Sequence, residues 1–326
     1  MRHFIDDALE ISVIGSFSSL GIRTRQALFG WQQPPPHALV GKTVVITGPT
    51  SGLGRQATVE LAALGATIVL VGRSREKLEL LRAELAERHA EERFRSVVAD
   101  LASLESVREG VSEILDGEPR IDVVIDNAGA MFPERSETVD GIESTLAVLT
   151  VGPFALVAGL LPALRATTSS RVIAVSSGGM YSQSLLLDDL SWARRPYSGP
   201  RAYAHGKRAQ VQLVREWARR LGTHDPTVVA MHPGWADTPG LSASLPGFRR
   251  VMGPILRTPS EGVDTLVWLA TTADVRRLAG SFVHDRRSRP FDRVPMTRTS
   301  SAERRRLWRE IVGLARIVDP SPVRRV

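Results

Sequence analysis

Seven short apolar runs, rich in valine and isoleucine, recur along the chain and are separated by longer stretches with helical periodicity. Such runs predict buried parallel strands, because helices that cross over the sheet cover both of its faces. The predicted strands are KTVVITG (42–48), ATIVLVG (66–72), FRSVVAD (94–100), IDVVIDNAG (121–129), RVIAVSS (171–177), TVVAMHPG (227–234) and GSFVHD (280–285). The pattern predicts an α/β fold: a doubly wound, Rossmann-type parallel sheet of about seven strands in a single domain.

Two stretches outside this alternation predict helical extensions at the ends of the domain. Residues 1–39 form an N-terminal amphipathic extension, closed by a linker that carries three consecutive prolines. Residues 40–295 are predicted to form the Rossmann-type domain, and the motifs described below predict that this domain is dinucleotide-binding and catalytic. Residues 296–326 form a basic C-terminal helical tail, in which Ser300 and Glu303 have the spacing of a capping box.

The N-terminal extension has apolar residues at spacings that mostly place them on one helical face. They are Leu9, Val13, Phe17, Leu20, Leu28 and Trp31. Gly15 and Gly21 weaken an isolated helix here. Three interpretations stay open: a helix packed on its own domain or on a partner subunit, a helix lying at a membrane surface, or a disordered segment.

Composition narrows the classes of function. Hydrophobic residues make up 43% and charged residues 24% of the 326 residues, as in ordinary globular proteins. The absence of cysteine excludes disulfides, thiolate catalysis and cysteine-ligated zinc, and we predict no metal site. The net charge of +7 favours anionic partners, yet no helix-turn-helix, zinc-finger or RNA-recognition motif appears, so we predict no nucleic-acid binding.

The chain shows weak targeting signals. Acidic residues stand in the N-terminal stretch where a secretory signal would carry positive charge. No stretch is expected to supply the roughly 20 apolar residues that span a bilayer. We therefore predict a cytoplasmic location, with peripheral membrane contact through residues 1–33 as the alternative.

A glycine-rich turn follows the first predicted strand. Such a turn lets the backbone approach a pyrophosphate, whose charge is stabilised by the N-terminus of the next helix. The glycines have the order Gly-x-x-x-Gly-x-Gly rather than the usual Gly-x-Gly-x-x-Gly, and an ordinary tight turn is the alternative. The candidate cofactor-binding residues of this turn are Gly48, Thr50, Ser51, Gly52, Leu53 and Gly54.

The end of the second strand bears on the choice of cofactor. An acidic residue there would bind the ribose of NAD, whereas this chain has Arg73 and Ser74. A guanidinium and a hydroxyl can donate to the 2′-phosphate of NADP, so we predict NADP, with NAD less favoured. Arg73 as a solvated loop charge is the alternative.

Further polar residues stand at the ends of the next strands. Asp100 could accept a hydrogen bond from the adenine amino group. Asn127, which opens the segment Asn127–Ala128–Gly129, could hold neighbouring loops or the ribose. Aspartate and asparagine are common at strand ends, so each of these signals is weak.

Tyr203 and Lys207 lie four residues apart in a predicted helix and therefore share one face. By itself the spacing fits either a phenol held beside an ammonium for proton chemistry or two polar side chains on a wet surface. A nearby ammonium favours the phenolate, which brings a tyrosine, with its ordinary pKa of about 10, closer to working pH.

The order of these motifs resembles the short-chain dehydrogenase/reductase superfamily over residues 40–285. The runs RVIAVSSGGM and MHPGWADTPG look like its dehydrogenase/reductase member twelve subgroup. The resemblance implies that Ser177 polarises a substrate carbonyl, that Tyr203 is the general acid and base, and that Lys207 contacts the nicotinamide ribose. It also implies that the nicotinamide carboxamide is held by Pro233, Gly234 and Thr238.

The resemblance thus implies an NAD(P)-dependent oxidoreductase that acts on a carbonyl or alcohol, and a homo-oligomer. One departure is Leu149, which stands where the family usually has an asparagine that holds a water beside the lysine. A cofactor-binding regulatory or scaffold protein with reduced catalysis is therefore the alternative. Apolar residues of two loops could wall a lipophilic substrate pocket: Leu185–Leu187, Trp192, Tyr197, Trp235 and residues 240–257.

Overall fold

The computed structural model describes residues 1–321, and its centre is one eight-stranded sheet of order β3-β2-β1-β4-β5-β6-β7-β8. The strands are β1 Thr43–Thr47, β2 Thr67–Gly72, β3 Phe94–Val98, β4 Val123–Asp126, β5 Arg171–Val175, β6 Thr227–His232, β7 Phe282–His284 and β8 Arg287–Arg289. All neighbouring strands from β3 to β7 are parallel. The predicted Rossmann-type α/β fold is confirmed.

The eighth strand was not predicted. It pairs antiparallel with β7 through a two-residue turn formed by Asp285 and Arg286, with φ values of 52° and 55°. Two positive φ values are typical of a type I′ hairpin, which asparagine and glycine usually form. Because β8 reads Arg-Ser-Arg, it carries no apolar pattern that would mark a strand.

Helices cover both faces of the sheet and bury two apolar cores. The helices of the domain are α4 Gly52–Ala63, α5 Arg75–Ala86, α6 Leu104–Gly117, α7 Ser144–Leu146, α8 Gly152–Arg165, α9 Gly199–Arg220, α10 Pro239–Ser244, α11 Pro246–Met252 and α12 Pro259–Thr271. Helices α4, α5 and α12 contribute to one core, and α6, α8 and α9 contribute to the other. A π-helical turn, Ala147–Val151, joins α7 to α8.

The N-terminal extension forms three short helices rather than one: α1 Arg2–Ile11, α2 Val13–Phe17 and α3 Ser19–Phe29. Ser12 and Ser18 have extended backbones at the two breaks, so the predicted single apolar face is divided. Phe17 is 6% exposed, whereas Leu20 is 57% exposed. A Cβ on Gly21 would lie 1.9 Å from the Gly15 carbonyl oxygen, so the close approach of α2 and α3 requires glycine.

Ion pairs, most of them buried, hold this extension against its own domain. Arg25 is fully buried and contacts Asp6 at 2.6 Å and Asp285 at 2.5 Å. Asp6 also pairs with Arg289 of β8 at 2.8 Å. Arg23 pairs with Glu261 of α12 at 2.6 Å. The extension therefore packs on its own chain, the first of the interpretations left open above.

The C-terminal helix α13, Ser301–Ala315, begins with the predicted capping box: Ser300 and Glu303 bond reciprocally. Its fully buried Trp308 lies edge-on to Phe154 of α8 and to Trp217 of α9. Helix α13 thus covers part of the outer face of α8 and α9. The last part of the predicted tail, residues 322–326, lies outside the described residues.

The expectation that no stretch is apolar enough to span a bilayer was wrong by length and composition. The continuous helical run Ser144–Arg165 passes that test over 22 residues. In the fold, 72% of its apolar window is buried inside the protein, because this run is the central helix of one core. Hydropathy alone cannot separate such a core helix from a membrane span.

Candidate functional site

The glycine turn lies between β1 and α4 at the carboxyl edge of the sheet. Gly48 and Gly52 have φ values of 64° and 51°, which glycine adopts without strain. A Cβ on Gly54 would lie 2.1 Å from the Gly48 carbonyl oxygen, so α4 starts against the turn. Thr50 and Leu53 are partly buried in the same turn, and Ser51 is the exposed N-cap of α4. The N-terminus of α4 is therefore open to an anion at this edge.

Asn127 joins the turn to the end of β4. Its side-chain nitrogen donates to the carbonyl oxygens of Thr47 at 2.9 Å and Gly48 at 3.2 Å. The Thr47 hydroxyl in turn accepts from the backbone nitrogens of Asn127 and Ala128, both at 3.0 Å. Of the two roles considered for Asn127, this geometry supports holding neighbouring loops.

Arg73 is exposed directly after β2. Ser74 is the N-cap of α5, and its hydroxyl accepts from the Lys77 backbone nitrogen at 3.4 Å. A hydroxyl that accepts one hydrogen bond keeps its own proton to donate. Both residues can therefore donate to an anion here.

Asp100 lies after β3 and is partly buried. One of its carboxylate oxygens accepts from the Ala102 backbone nitrogen at 2.9 Å, in a local turn. The carboxylate retains further lone pairs for another donor. The structure thus shows a turn-forming role for Asp100 that is compatible with the predicted contact to adenine.

Ser177, Tyr203 and Lys207 converge where β5 and α9 meet. Ser177 is the second residue past β5 and Tyr203 lies in the first turns of α9; their side chains are hydrogen-bonded to each other. Lys207 is one turn further along α9 and is 2% exposed. Its ammonium donates to the Val175 carbonyl oxygen at 2.7 Å. The Tyr-x-x-x-Lys pair therefore does not lie on a wet surface.

Burial dominates the electrostatics of this cluster. It raises the pKa of Tyr203, against which the hydrogen bond with Ser177 acts. Burial also lowers the pKa of Lys207 to about 8, while the carboxylate of Asp126 acts to raise it. An ammonium with this pKa is mostly charged near neutral pH, and it stands one helical turn from the phenol.

The loop after β6 lies beside the glycine turn. The methyl-bearing carbon of Thr238 lies 3.4 Å from the position of a Cβ on Gly52. Gly234 has a φ of 77°, and a Cβ there would overlap the guanidinium of Arg257. Arg257 in turn donates to the Pro233 carbonyl oxygen at 3.3 Å. The three residues predicted to hold a carboxamide thus lie in one constrained loop.

The predicted pocket walls divide into two groups. Trp192 is 1% exposed, so it packs inside its loop and is not free to line an open pocket. The Tyr197 hydroxyl is bonded to Thr145 at 2.9 Å. Trp235 and Phe248 are partly exposed, and their rings meet edge-on at 5.1 Å between centroids. The apolar surface near the site therefore comes chiefly from this second group.

Four residues that contact the predicted site were not among the residues predicted for it. Thr47 supports Asn127, as described above, and Phe17 of the N-terminal extension packs on Trp235 at 5.6 Å between ring centroids. Asp126 and Gln210 form a buried pair behind Lys207. Two signals were available, a carboxylate directly before Asn127 and an amide three residues after Lys207, but neither spacing is specific alone.

Comparisons with known proteins show the family of this chain. The short chain dehydrogenase family matches residues 42–246. Dehydrogenase/reductase SDR family member 12 from Bos taurus is 38% identical, over 85% of this chain and 87% of its own. Retinol dehydrogenase 13 from Homo sapiens is 32% identical, over 96% of each chain. A solved structure of an uncharacterized protein from Mycobacterium paratuberculosis matches with a TM-score of 0.68 and 30% identity, covering 87% of this chain and 98% of its own. These matches confirm the predicted resemblance, and the chain belongs to the short-chain dehydrogenase family of oxidoreductases.

Proposed function

We propose that this protein is an NADP-dependent oxidoreductase that interconverts a lipophilic carbonyl compound and its alcohol, with Tyr203 as the general acid and base. The observation that supports this most directly is the cluster of Ser177, Tyr203 and Lys207. A phenol bonded to a serine hydroxyl, one helical turn from a buried ammonium, is suited to exchange a proton with a substrate oxygen.

The residues around the glycine turn fit a dinucleotide. The turn lacks side chains where a backbone must approach a pyrophosphate, and the N-terminus of α4 favours its charge. Arg73 and Ser74 would hold the 2′-phosphate of NADP, and Asp100 would accept from the adenine. Pro233, Gly234 and Thr238 would hold the carboxamide, with Ala128 and Gly129 beside the ribose. When bound, the cofactor supplies or accepts the hydride.

The chain's own residues would handle the proton and the developing charge. In reduction, Tyr203 gives its proton to the substrate oxygen and remains as a phenolate; in oxidation it accepts that proton. The Ser177 hydroxyl donates a hydrogen bond to the same oxygen where negative charge develops. Burial raises the pKa of Tyr203. The ammonium of Lys207, one helical turn away, would stabilise the phenolate when it forms.

Apolar side chains beside the site favour a lipophilic substrate. The rings of Trp235 and Phe248 meet edge-on, and Phe17 of the N-terminal extension packs against Trp235. Such surfaces gain free energy by covering apolar groups of a ligand and excluding water from the reacting atoms.

The test is the substitution Tyr203→Phe, assayed by cofactor oxidation with a panel of lipophilic aldehydes, ketones and quinones. We expect turnover to be lost while cofactor affinity is nearly unchanged, since the ring still packs and only the hydroxyl is removed. Tyr197→Phe is the matched control, because its hydroxyl bonds to Thr145 away from the cluster. Parent-like rates in Tyr203→Phe would refute the assigned role.

The alternative is a cofactor-binding regulatory or scaffold protein with reduced catalysis. Its support is Leu149, which is fully buried and supplies no hydrogen bond near Lys207. The panel separates the two functions. Tight cofactor binding without turnover on any substrate class would favour the regulatory function.

We further propose that residues 1–33 contact a membrane surface peripherally. Helices α1 to α3 leave five large apolar side chains exposed although the segment packs on its own domain: Phe4 77%, Ile11 84%, Val13 54%, Ile14 50% and Leu20 57%. Arg23, whose side chain is 62% exposed, and the net charge of +7 suit anionic lipid. A purely cytoplasmic protein is the alternative.

The double variant Phe4→Asp/Ile11→Asp tests this proposal without disturbing the buried ion pairs. We expect it to fold and turn over as the parent does, but to sediment less with anionic liposomes at low salt. Val139→Asp, at a residue 92% exposed outside the N-terminal segment, controls for the added negative charge. A parent protein that never sediments with these liposomes would refute the membrane contact.

A further inference from the structure

Leu149 changes the surroundings of the lysine at the proposed site. It lies in the π-helical turn before α8 and is fully buried. Its Cδ1 lies 3.0 Å from the position of a Cβ on Gly206, and its Cδ2 lies 3.3 Å from that of a Cβ on Gly129. The same Gly129 position lies 3.8 Å from the ammonium of Lys207. An apolar side chain therefore fills this side of the lysine, and it cannot hydrogen-bond a water there.

On its other side, Lys207 faces a buried polar chain. Its ammonium donates to Gln210 Oε1 at 3.4 Å, in addition to the Val175 carbonyl. Gln210 Nε2 donates to Asp126 Oδ2 at 2.6 Å. The amide thus directs its oxygen toward the cation and its nitrogen toward the carboxylate, the one orientation in which both contacts are attractive.

Asp126 is a carboxylate without a full set of partners. It is 4% exposed at the end of β4, and within residues 1–321 its second oxygen, Oδ1, has no hydrogen-bond partner. A buried carboxylate in this condition is costly unless an opposite charge is near. Burial raises the pKa of Asp126 to about 6, although the charge of Lys207 and the hydrogen bond from Gln210 act to lower it.

The packed elements around the pair contribute few other polar groups. Helix α9 brings Tyr203, Lys207 and Gln210, β5 brings the Val175 carbonyl, β4 brings Asp126, and the π-helical turn brings Leu149. Asp126 and Lys207 are each the charge that shifts the other. The carboxylate and the ammonium therefore titrate as a pair, linked by one amide.

We propose that Asp126 and Gln210 are positioning residues, which hold Lys207 charged and in place, one helical turn from Tyr203, instead of a water-linked amide at position 149. This inference rests on the proposed function, since it concerns the same lysine. Its consequence for reduction is specific. After Tyr203 gives its proton to the substrate oxygen, the phenolate that remains is stabilised only while Lys207 is an ammonium. The Asp126 carboxylate keeps Lys207 in its ammonium form up to a higher pH.

The titration of Lys207 can be measured without turnover, because the chain has few lysines. The sequence has three lysines, Lys42, Lys77 and Lys207. The Lys42 side chain is 48% exposed and Lys77 is exposed, whereas Lys207 is buried. Lysine labelled with ¹³C at Cε should therefore give three resonances, each assigned by a lysine-to-arginine variant. The buried Lys207 should titrate below the usual lysine range, because burial lowers its pKa.

The decisive variant is Asp126→Asn, which keeps the shape and removes the charge. We expect the Lys207 titration to move to lower pH by roughly one to three units, the size of shift that a nearby opposite charge produces. Lys42 and Lys77 should not move. Gln210→Met, which removes the linking amide, should shift the same resonance in the same direction, whereas Gln212→Met on the same helix should leave it unchanged. An unchanged Lys207 titration in folded Asp126→Asn would overturn the proposal, and Gln210→Met decides it if Asp126→Asn does not fold.

The pH dependence of the reaction rate separates this inference from the proposed function. If the parent reduces a substrate of the panel, the high-pH limb of its rate profile should move to lower pH in Asp126→Asn, as the resonance does. A titration that moves while no substrate is turned over would support the charge pair and count against the proposed function. A rate limb that stays in place while the parent is active would overturn the role of the pair in catalysis.

Discussion

Arg73 is the residue on which the choice of cofactor depends. It is exposed after β2, where an acidic side chain would favour NAD. We predict that the parent prefers NADP and that Arg73→Asp reverses the preference, because the new carboxylate repels the 2′-phosphate. A charge-assisted hydrogen bond contributes about 1.5–3 kcal/mol, or roughly 10- to 150-fold in affinity. Titration calorimetry with both cofactors measures it.

Arg88, exposed just past the far end of α5, provides the control for this charge change. Arg88→Asp should leave the preference as in the parent. Equal affinities of the parent for NAD and NADP would show that Arg73 does not select the cofactor.

Leu149 is the second single residue whose substitution has a predictable effect. If Asp126 and Gln210 already hold Lys207, an amide at position 149 adds nothing to the reaction. We predict that Leu149→Asn leaves the rate unchanged or lower and destabilises the fold by roughly 1–3 kcal/mol, the cost of an unpaired polar group among carbon atoms. Leu149→Met, of similar volume, is the control. A faster Leu149→Asn enzyme would show that the missing amide limits turnover.

At the scale of elements, the N-terminal helices and the loop after β6 form one packed unit. The Trp235 backbone nitrogen donates to the Phe17 carbonyl oxygen at 2.8 Å, and Arg257 donates to the Ser16 carbonyl oxygen at 3.0 Å. Asp285 accepts from Arg257 and from Arg25 of α3. Helices α1 to α3 therefore support the loop that carries Pro233 and Gly234.

This packing predicts a large effect of Arg25→Met. The change leaves the fully buried Asp285 and Asp6 each without one cation, and breaking a buried pair costs about 3–5 kcal/mol. Asp6 keeps Arg289, which places the expected loss at the lower end. Equilibrium unfolding in urea measures the free energy of unfolding.

Arg23→Met is the control for Arg25→Met, because Arg23 pairs with Glu261 with 62% of its own side chain exposed. A surface pair contributes about 0–1 kcal/mol. Equal effects of the two substitutions would contradict the buried network as the fastening of the extension.

At the scale of the whole molecule, α13 bears on assembly. Its Trp308 packs on Phe154 and Trp217, so the chain covers part of the outer face of α8 and α9 with its own C-terminal helix. The homo-oligomer expected from the family resemblance stays a prediction. A second copy that used this face would have to displace α13 and expose a fully buried tryptophan.

Acid sensitivity is a second property of the whole molecule. Burial lowers the pKa of His205 and of His284 to about 4, and that of His232 well below its usual value. Below pH 6.5 the histidines of the unfolded chain bind protons, whereas these buried histidines of the folded protein do not. The free energy of unfolding therefore falls as the pH drops from 7 toward 4. For His205 the loss reaches about 2 kcal/mol at pH 5 by this linkage.

We predict that His205→Gln removes the decrease in the free energy of unfolding that His205 causes between pH 7 and pH 5. A glutamine can still accept a hydrogen bond from the Leu186 backbone nitrogen. Asp126, with a pKa of about 6, acts in the opposite direction, and its contribution cancels between parent and variant. Urea unfolding at the two pH values measures the difference. An equal loss in both proteins would show that His205 titrates normally.

Local patterns in the sequence determined much of this protein: the parallel strands, the glycine turn, the capping box of α13 and the i, i+4 pair of Tyr203 and Lys207. These features depend on residues that are close in the chain, where periodicity and steric preference act. The sequence also marked Leu149 as a departure, but not what surrounds it.

Only the tertiary structure decided which distant residues meet. It brought Asp126 of β4 to Gln210 of α9, and Arg25 of α3 to Asp285 of the β7–β8 turn. It also divided the N-terminal segment into three helices and buried the apolar run 144–165 in a core. The physical reason is that buried charges must find partners and apolar surface must be covered, and both conditions are met by whichever elements the fold places in contact.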